Sequence, residues 1–340
     1  MIILGIESSC DETAAAVLRQ DEDGITILSN VIASSLELQA KYGGVVPDQA
    51  AREQLKAIIP VITEALSQAN ITKDDLDAIA VTQGPGLIGS LLMGVETAKT
   101  LSRVWQKPLI PINHLIAHFY GNWIDRISPT FPCIGLLVSG GHTDLLLFKN
   151  HGEYEYLGGT RDDAAGECFD KCARLLGLPY PGGPQISKIA VAGNPTSYDL
   201  PRPMIHSNDY DFSFSGLKTA VANLVQQIEL TDQAKANLAA SIQEAIVEVL
   251  VKKTLKAAQN LNIDNIMIAG GVAANTRLTE SFKFEIQNLK FEIKLHIPPP
   301  NLCTDNGATT AAAAFFHQPT QNPLSIQANP NLSFSSNIET

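Results

Sequence analysis

Two histidines four residues apart, His114 and His118 in NHLIAH, have the types and spacing in this chain that point most directly to chemistry. Residues i and i+4 share one face of a helix, so two imidazoles at this spacing can close on a single metal ion. A third ligand must come from elsewhere. Asp305, in CTDNGA, is the expected one, because it follows the proline run 298–300 and opens the last helix. Ordinary core packing also puts histidines on half-apolar helices, so the neighbouring motifs carry the decision.

Those neighbours are three glycine- or serine-bearing turns at strand ends: Ser8 to Thr13, Ser139 to Thr143, and Gly270 to Asn275. Glycines let backbone N–H groups approach an anion closely, and two such hairpin turns facing each other make a phosphate clamp. Acidic candidates for proton transfer are Glu7, Asp11 and Glu12 on the first turn, and Asp162, Asp163, Glu167 and Asp170 on a later helix. Position favours Glu12 and Asp11.

The elements that position these groups read as a repeat. Residues 2–8 are an apolar strand, 9–12 a polar turn, 13–19 the return strand and 25–34 a third strand. Pro47 opens a helix with Leu55, Ile58, Ile59, Ile62 and Leu66 as its expected buried stripe. A short buried strand, 78–82, leads through Gly84-Pro85-Gly86 to a helix over 89–105, and strand 109–112 feeds the histidine helix. Gly5, Ser9 and Thr13 recur as Gly135, Ser139 and Thr143 at one offset, 130, which pairs Glu12 with His142 and Asp11 with Gly141. Asp77, Ile79 and Gly84 recur as Asp264, Ile266 and Gly271 at an offset of 187. The expectation is an α/β chain of two duplicated lobes with a nucleotide cleft between them. Lobe I spans 1–112 plus 305–317, lobe II spans 113–304 with helical insertions, and 318–340 is expected to be a flexible tail, rich in Asn, Pro and Ser. Within lobe II, 200–214, aromatic and proline-bearing without periodicity, reads as a surface loop or an interaction patch.

Composition narrows the function classes. At 340 residues with 45% hydrophobic content the chain can fill two cores, and a net charge of −11 argues against gripping nucleic acid by its overall field. Contacts to a nucleic acid would be local, for instance through Lys252, Lys253 and Lys256 or Lys99, Arg103 and Lys107, or supplied by partners. Five cysteines without framework spacing fit reduced thiols; Cys168 and Cys172 share a helix face and could be a redox pair, extra ligands or plain core. The start of the chain lacks a basic region or cleavable apolar segment, so a cytoplasmic location without membrane attachment is expected. Leu115 stands where a metalloprotease HExxH has its glutamate, and Walker A and GxSxG motifs are absent. Gly84 to Gly89 matches GxGxxG, but the next strand ends in Asn113, where a dinucleotide site needs an acid.

With GIESSCDET (5–13), NHLIAH (113–118), VSGGHT (138–143), FDK and LLGLPYPGGP (169–184), FSFSGLKTA (212–220), GGVAANTRL (270–278) and TDNGA (304–308), the chain resembles the TsaD family of tRNA N6-adenosine threonylcarbamoyltransferases from about residue 2 to 317. The resemblance implies the duplicated actin, sugar-kinase and Hsp70 (ASKHA) ATPase fold. It also implies acyl transfer: the threonylcarbamoyl group of threonylcarbamoyl-adenylate moves to N6 of adenosine 37 in tRNAs reading ANN codons, releasing AMP. On that footing His114, His118 and Asp305 hold one divalent metal, Fe2+ first, with Zn2+ or Mg2+ as other choices. Leu137, Val138, Ser139, Gly140 and Gly141 wrap the phosphate and carbamoyl part of the adenylate. Asp170 and Gly183 hold its ribose and adenine region, and Asn275 also binds it. Glu12 or Asp11 takes the proton of the attacking amine.

Archaeal relatives carry a tyrosine where Leu137 stands, adding a metal ligand. Leucine cannot ligate, so a bacterial-type affiliation is implied, with coordination completed by water or substrate. The resemblance further implies tRNA as substrate, binding of an ATP- or AMP-type nucleotide, a paralogous partner of the same fold and a small P-loop ATPase. Two other readings of the same fold stand beside it: a small-molecule kinase, and a non-catalytic nucleotide-binding scaffold. Neither has a task for the histidine pair.

Overall fold

A computed structural model describes residues 1–35, 46–125, 127–289 and 292–334. The chain forms two units, residues 1–128 with 304–340, and residues 129–303. In chain order the first unit holds β1 (Ile2–Glu7), β2 (Glu12–Asp21), β3 (Gly24–Ser34), α1 (Pro47–Gln68), β4 (Ala78–Gly84), α2 (Ile88–Trp105), β5 (Leu109–Asn113) and α3 (His114–Tyr120). The second holds β6 (Cys133–Val138), β7 (Thr143–Asn150), β8 (Glu153–Gly159), α4 (Ala165–Leu175), α5 (Gly182–Ala190), α6 (Ser215–Val225), α7 (Asp232–Leu261), β9 (Asn265–Ala269), α8 (Thr276–Asn288), β10 (Lys294–His296) and α9 (Pro300–Cys303). The chain then returns to the first unit as α10 (Gly307–Ala314). No helix among the described residues is long and apolar enough to cross a membrane.

The repeat is real down to the register. The first sheet runs β3-β2-β1-β4-β5 and the second, read the same way, β8-β7-β6-β9-β10. In both, the first hairpin is antiparallel and the next strand parallel. Ile6 faces Ala15 as Leu136 faces Leu145, and Leu4 faces Ile79 as Ile134 faces Ile266. These are the offsets of 130 and 187 found along the sequence, now expressed as strand pairing.

Alternation along β1 sorts its side chains between two faces. Leu4 and Ile6 join Ala15, Val17, Ile79 and Val81 in a core closed by α1 and α2. Ile3, Gly5 and Glu7 therefore face the other side, where α10 packs on β1 and β2. Gly5 and Gly307 permit that packing: a Cβ on Gly5 would lie 2.6 Å from the Ala311 nitrogen, and one on Gly307 2.6 Å from the Ala16 nitrogen. This close approach draws the loop before α10, with Asp305, over the end of β1.

Several expectations need correcting. The buried stripe of α1 is Ala50, Gln54, Ile58, Val61, Ile62 and Ala65, whereas Leu55 and Ile59 are exposed. A polar residue, Gln54, faces inward and rotates the stripe. The first boundary falls at 128/129 rather than 112/113, because α3 follows β5 directly and packs on α10. Nor is the described part of 318–340 a loose tail. Thr320 N–H donates to Leu109 O (2.9 Å), Asn329 N–H to Gln83 O (2.9 Å) and Asn113 Nδ2 to Ser333 O (3.1 Å), while Ile326 enters the core. Few apolar anchors and main-chain bonds suffice there; residues 335–340 lie outside the described part. The loop 200–214 is likewise anchored, with Phe212 and Phe214 fully buried.

Candidate metal centre and substrate-binding residues

β5 ends in Asn113, whose side-chain oxygen accepts from the N–H groups of Leu115 and Ile116 (2.9 and 3.4 Å). This cap starts α3 at His114 without a linker, so both histidines sit at the end of the sheet. Asn306, rather than Asp305, opens α10 as its cap, accepting from Thr309 N–H at 3.0 Å. The neighbouring Asp305 is thereby left to face the histidines. His118 Nε2 stands 3.4 Å and His114 Nε2 3.8 Å from Asp305 Oδ1, and the three donor atoms lie within 4.8 Å of one another.

Ligands each about 2.1 Å from one ion stand roughly 3 to 3.5 Å apart. His118 and Asp305 stand at that spacing and His114 somewhat beyond it, and two imidazoles with one carboxylate are a donor set that suits a divalent cation and leaves further positions open.

Behind the pair sits a carboxylate. Glu7, 2% exposed, takes the Ser9 N–H at Oε1 and the Thr82 hydroxyl at Oε2, and its Oε2 lies 3.2 Å from His114 Nδ1. Thr82 in turn meets Thr310 of α10 at 3.2 Å. Burial works against the Glu7 anion, but His114 and these hydrogen bonds outweigh it and hold its carboxyl down at about 2. An ionised carboxylate only accepts, so His114 donates through Nδ1–H, which leaves Nε2 as the ring atom on the side of Asp305. Burial also disfavours the His114 cation, yet Glu7 and Asp305 reverse this and raise the ring to about 9, a sign of how strongly the pocket favours positive charge there.

The turn after β1 carries the proton-transfer candidates. Burial pushes Glu12 up to about 7, against the hydrogen bond from Ser34 Oγ (2.8 Å) and with help from Asp11 and Asp305. Asp11 and Glu12 are thus within electrostatic reach of the His-His-Asp group.

In the second unit the remaining candidates gather around α4 and α5. Leu137 and Val138 end β6 as buried residues. The turn at Ser139, Gly140 and Gly141 closes through Ser139 N–H to His142 O (2.8 Å), and Gly166 N–H donates to Ser139 O (3.2 Å). Asp170 accepts at Oδ1 from the N–H groups of Gly182 and Gly183 (2.7 and 3.3 Å). Asn275 caps α8 through Oδ1 and donates through Nδ2 to Ser187 of α5 and Gln243 of α7, each at 3.0 Å.

Other candidates are used structurally. Asp162 pins Ser213, Phe214 and Ser215. Lys253 is buried against Met204 O and Ser207 Oγ, so the 252–256 cluster is not an open basic patch. Cys168 and Cys172 are buried with their sulfurs 4.0 Å apart. Neither the role of Glu7 toward His114 nor that of Thr82 is marked by spacing along the chain. The available signal was an acidic and a hydroxyl residue at the ends of otherwise apolar buried strands.

Known proteins resemble this chain in sequence and in fold. The family model described as TsaD, tRNA N6-adenosine threonylcarbamoyltransferase, matches residues 26–312. A protein of that name from Symbiobacterium thermophilum is 51% identical over 334 residues, covering 97% of this chain and 96% of its own length. One from Dehalococcoides mccartyi is 49% identical over 338 residues, covering 99% and 100%. Among solved structures, HypF from T. kodakarensis superposes with a TM-score of 0.58 at 15% identity over 92% of this chain and 47% of its own. Component A of the Acidaminococcus fermentans (R)-2-hydroxyglutaryl-CoA dehydratase does so with 0.51 at 15%, over 93% and 98%. These two likenesses concern the fold alone and agree with the duplicated ASKHA architecture. By family model and by identity over nearly its whole length, the chain belongs to the TsaD family of tRNA N6-adenosine threonylcarbamoyltransferases.

Proposed function

We propose that the protein transfers the threonylcarbamoyl group from threonylcarbamoyl-AMP to N6 of adenosine 37 in tRNAs reading ANN codons. The observation that carries this reading is the convergence of His114, His118 and Asp305, backed by Glu7, in a chain of this family. The exocyclic amine attacks the carbamoyl carbonyl carbon, the bond to the phosphate oxygen breaks, and AMP leaves with that electron pair. AMP is a good leaving group, so orienting a weak nucleophile is the main demand on the protein. Glu12 takes the proton from N6, with Asp11 as the neighbouring carboxylate; burial has already moved Glu12 to about 7, where a general base is most effective near neutral pH. His114, His118 and Asp305 hold one divalent cation, Fe2+ in our reading, and when bound it supplies Lewis-acid polarisation of the carbonyl.

In the second unit, Leu137 to Gly141 surround the phosphate and carbamoyl part. Asp170, with Oδ1 engaged by Gly182 and Gly183, offers Oδ2 to the ribose, and Gly183 borders the adenine region. Asn275 joins by exchanging an Nδ2 bond for the ligand. The protein works in the cytoplasm with a paralogous same-fold subunit and a small P-loop ATPase. Exposed apolar side chains on two helices that pack together support the paired subunit: Leu55 and Ile59 on α1, and Ile88 and Leu92 on α2.

The test is a transfer assay with purified protein, synthetic threonylcarbamoyl-AMP, unmodified tRNA bearing A37 and the candidate partners, read by nucleoside mass spectrometry. Modified A37 that disappears in His114→Ala is the expected result. ATP-dependent phosphorylation of a small metabolite, without modified A37 under any partner set, would replace this reading by the kinase one.

A further inference from the structure

The turn that carries Ser9, Asp11 and Glu12 is gripped from beneath by one side chain. Gln54, 1% exposed on α1, directs Nε2 at three main-chain carbonyls: Ser8 O (3.4 Å), Cys10 O (3.1 Å) and Glu12 O (2.8 Å). Three acceptors around one terminal atom settle which end of the amide is nitrogen. Two N–H groups are thus shared among three oxygens. Its Oε1 is buried and accepts no hydrogen bond among the described residues, which costs desolvation energy that a purely structural glutamine would normally avoid. Ser90 of α2 adds a second hold, donating to Cys10 O at 2.7 Å, and receives the Ser8 hydroxyl on its own carbonyl at 2.9 Å.

A turn meant to face an acyl phosphate must keep carbonyl oxygens away from that anion and present its side chains in fixed positions. Gathering alternate carbonyls, 8, 10 and 12, onto one buried donor achieves this. The same turn places Ser9 Oγ 3.2 Å from His114 Nδ1 at one end and the Glu12 carboxylate at the other. We propose that Gln54 is a positioning residue for the transfer reaction: it acts through the Ser8–Glu12 turn to hold Glu12 and Ser9 in working geometry, without touching substrate itself.

This inference rests on the proposed role of Glu12, so its test reads the turn apart from the reaction. Gln54→Met keeps length and bulk but removes both donors, and Gln54→Glu sets a carboxylate against the three carbonyls. Amide hydrogen exchange on the full chain follows the peptide covering residues 5–13. In Gln54→Met we expect exchange there to quicken about tenfold while the rest of the unit is unchanged. With active wild type, kcat falls at least about tenfold at unaltered KM for the adenylate, because misplacement acts on the chemical step. In Gln54→Met the acid limb of the pH profile also moves down, as a loosened Glu12 is hydrated away from burial and from Asp11 and Asp305; Gln54→Glu exceeds Gln54→Met in exchange and in loss of kcat. Unchanged exchange at 5–13, exchange rising evenly across the unit, or a locally loosened turn with normal kcat would each overturn the inference. A wild type that transfers nothing would sink the transferase reading instead, and the exchange comparison would still decide whether Gln54 positions the turn.

Discussion

The hairpin turn after β1 and the hairpin turn after β6 occupy equivalent places in two sheets of one topology, yet they are built for different work. The first has polar neighbours on every side: Glu7 behind it, Glu12 after it, and Gln54 and Ser90 holding its carbonyls. The second closes on itself through Ser139 and His142 and takes a backbone N–H from Gly166, where a Cβ would lie 2.8 Å from the Gly140 Cα. At the position equivalent to Glu7 stands Leu137, fully buried. Duplication therefore supplied the scaffold twice, and a few polar residues at strand ends made one copy a candidate cation site. Small residues made the other a site of close backbone approach.

The comparison breaks most visibly if the cation site does not depend on the first copy. His118→Ala and Asp305→Ala should each lower divalent-metal affinity by more than about 100-fold, measured by metal analysis of the purified protein. His142→Ala, in the equivalent turn of the second copy, should leave metal content unaltered. Metal loss from His142→Ala would refute the assignment.

Glu7→Gln sharpens the same contrast, since it removes the charge that Leu137 lacks. Metal affinity should fall about 10- to 100-fold, read by titration with Co2+ and its absorption spectrum. Unchanged affinity would mean that Glu7 is only a buried structural carboxylate. Gly5→Ala pushes α10 off β1; we expect about 1 to 3 kcal/mol of destabilisation in chemical denaturation, with weaker metal binding because Asp305 moves with the helix.

The smallest effect concerns stability against pH. Folding raises Glu12 from its ordinary 4.5 to about 7, so its ionisation costs the folded state increasingly as pH rises through that window. Glu12→Gln should therefore melt higher than wild type above pH 7, with the gap closing toward pH 4.5, while transfer is slowed. An equal gap at both ends would show that Glu12 is not held out of water.

Much of this was legible along the chain. The offsets of 130 and 187 survive as strand register, and the alternation of β1 and the cap-like Asn113 before the histidines explain why strands and helices start where they do. Period and spacing are local properties, and a backbone with two soft dihedrals per residue expresses them directly. The inward turn of Gln54, the hold of Glu7 on His114 and the anchoring of 320–333 were not legible. Each joins residues far apart in sequence, and a buried polar side chain reads as a surface one until its partners are in place. The sequence by itself thus determined the duplicated α/β frame, the family and the three metal-ligand candidates. Only the tertiary structure decided which buried polar groups orient them, because hydrogen-bond satisfaction in the interior is set by three-dimensional neighbours and not by order along the chain.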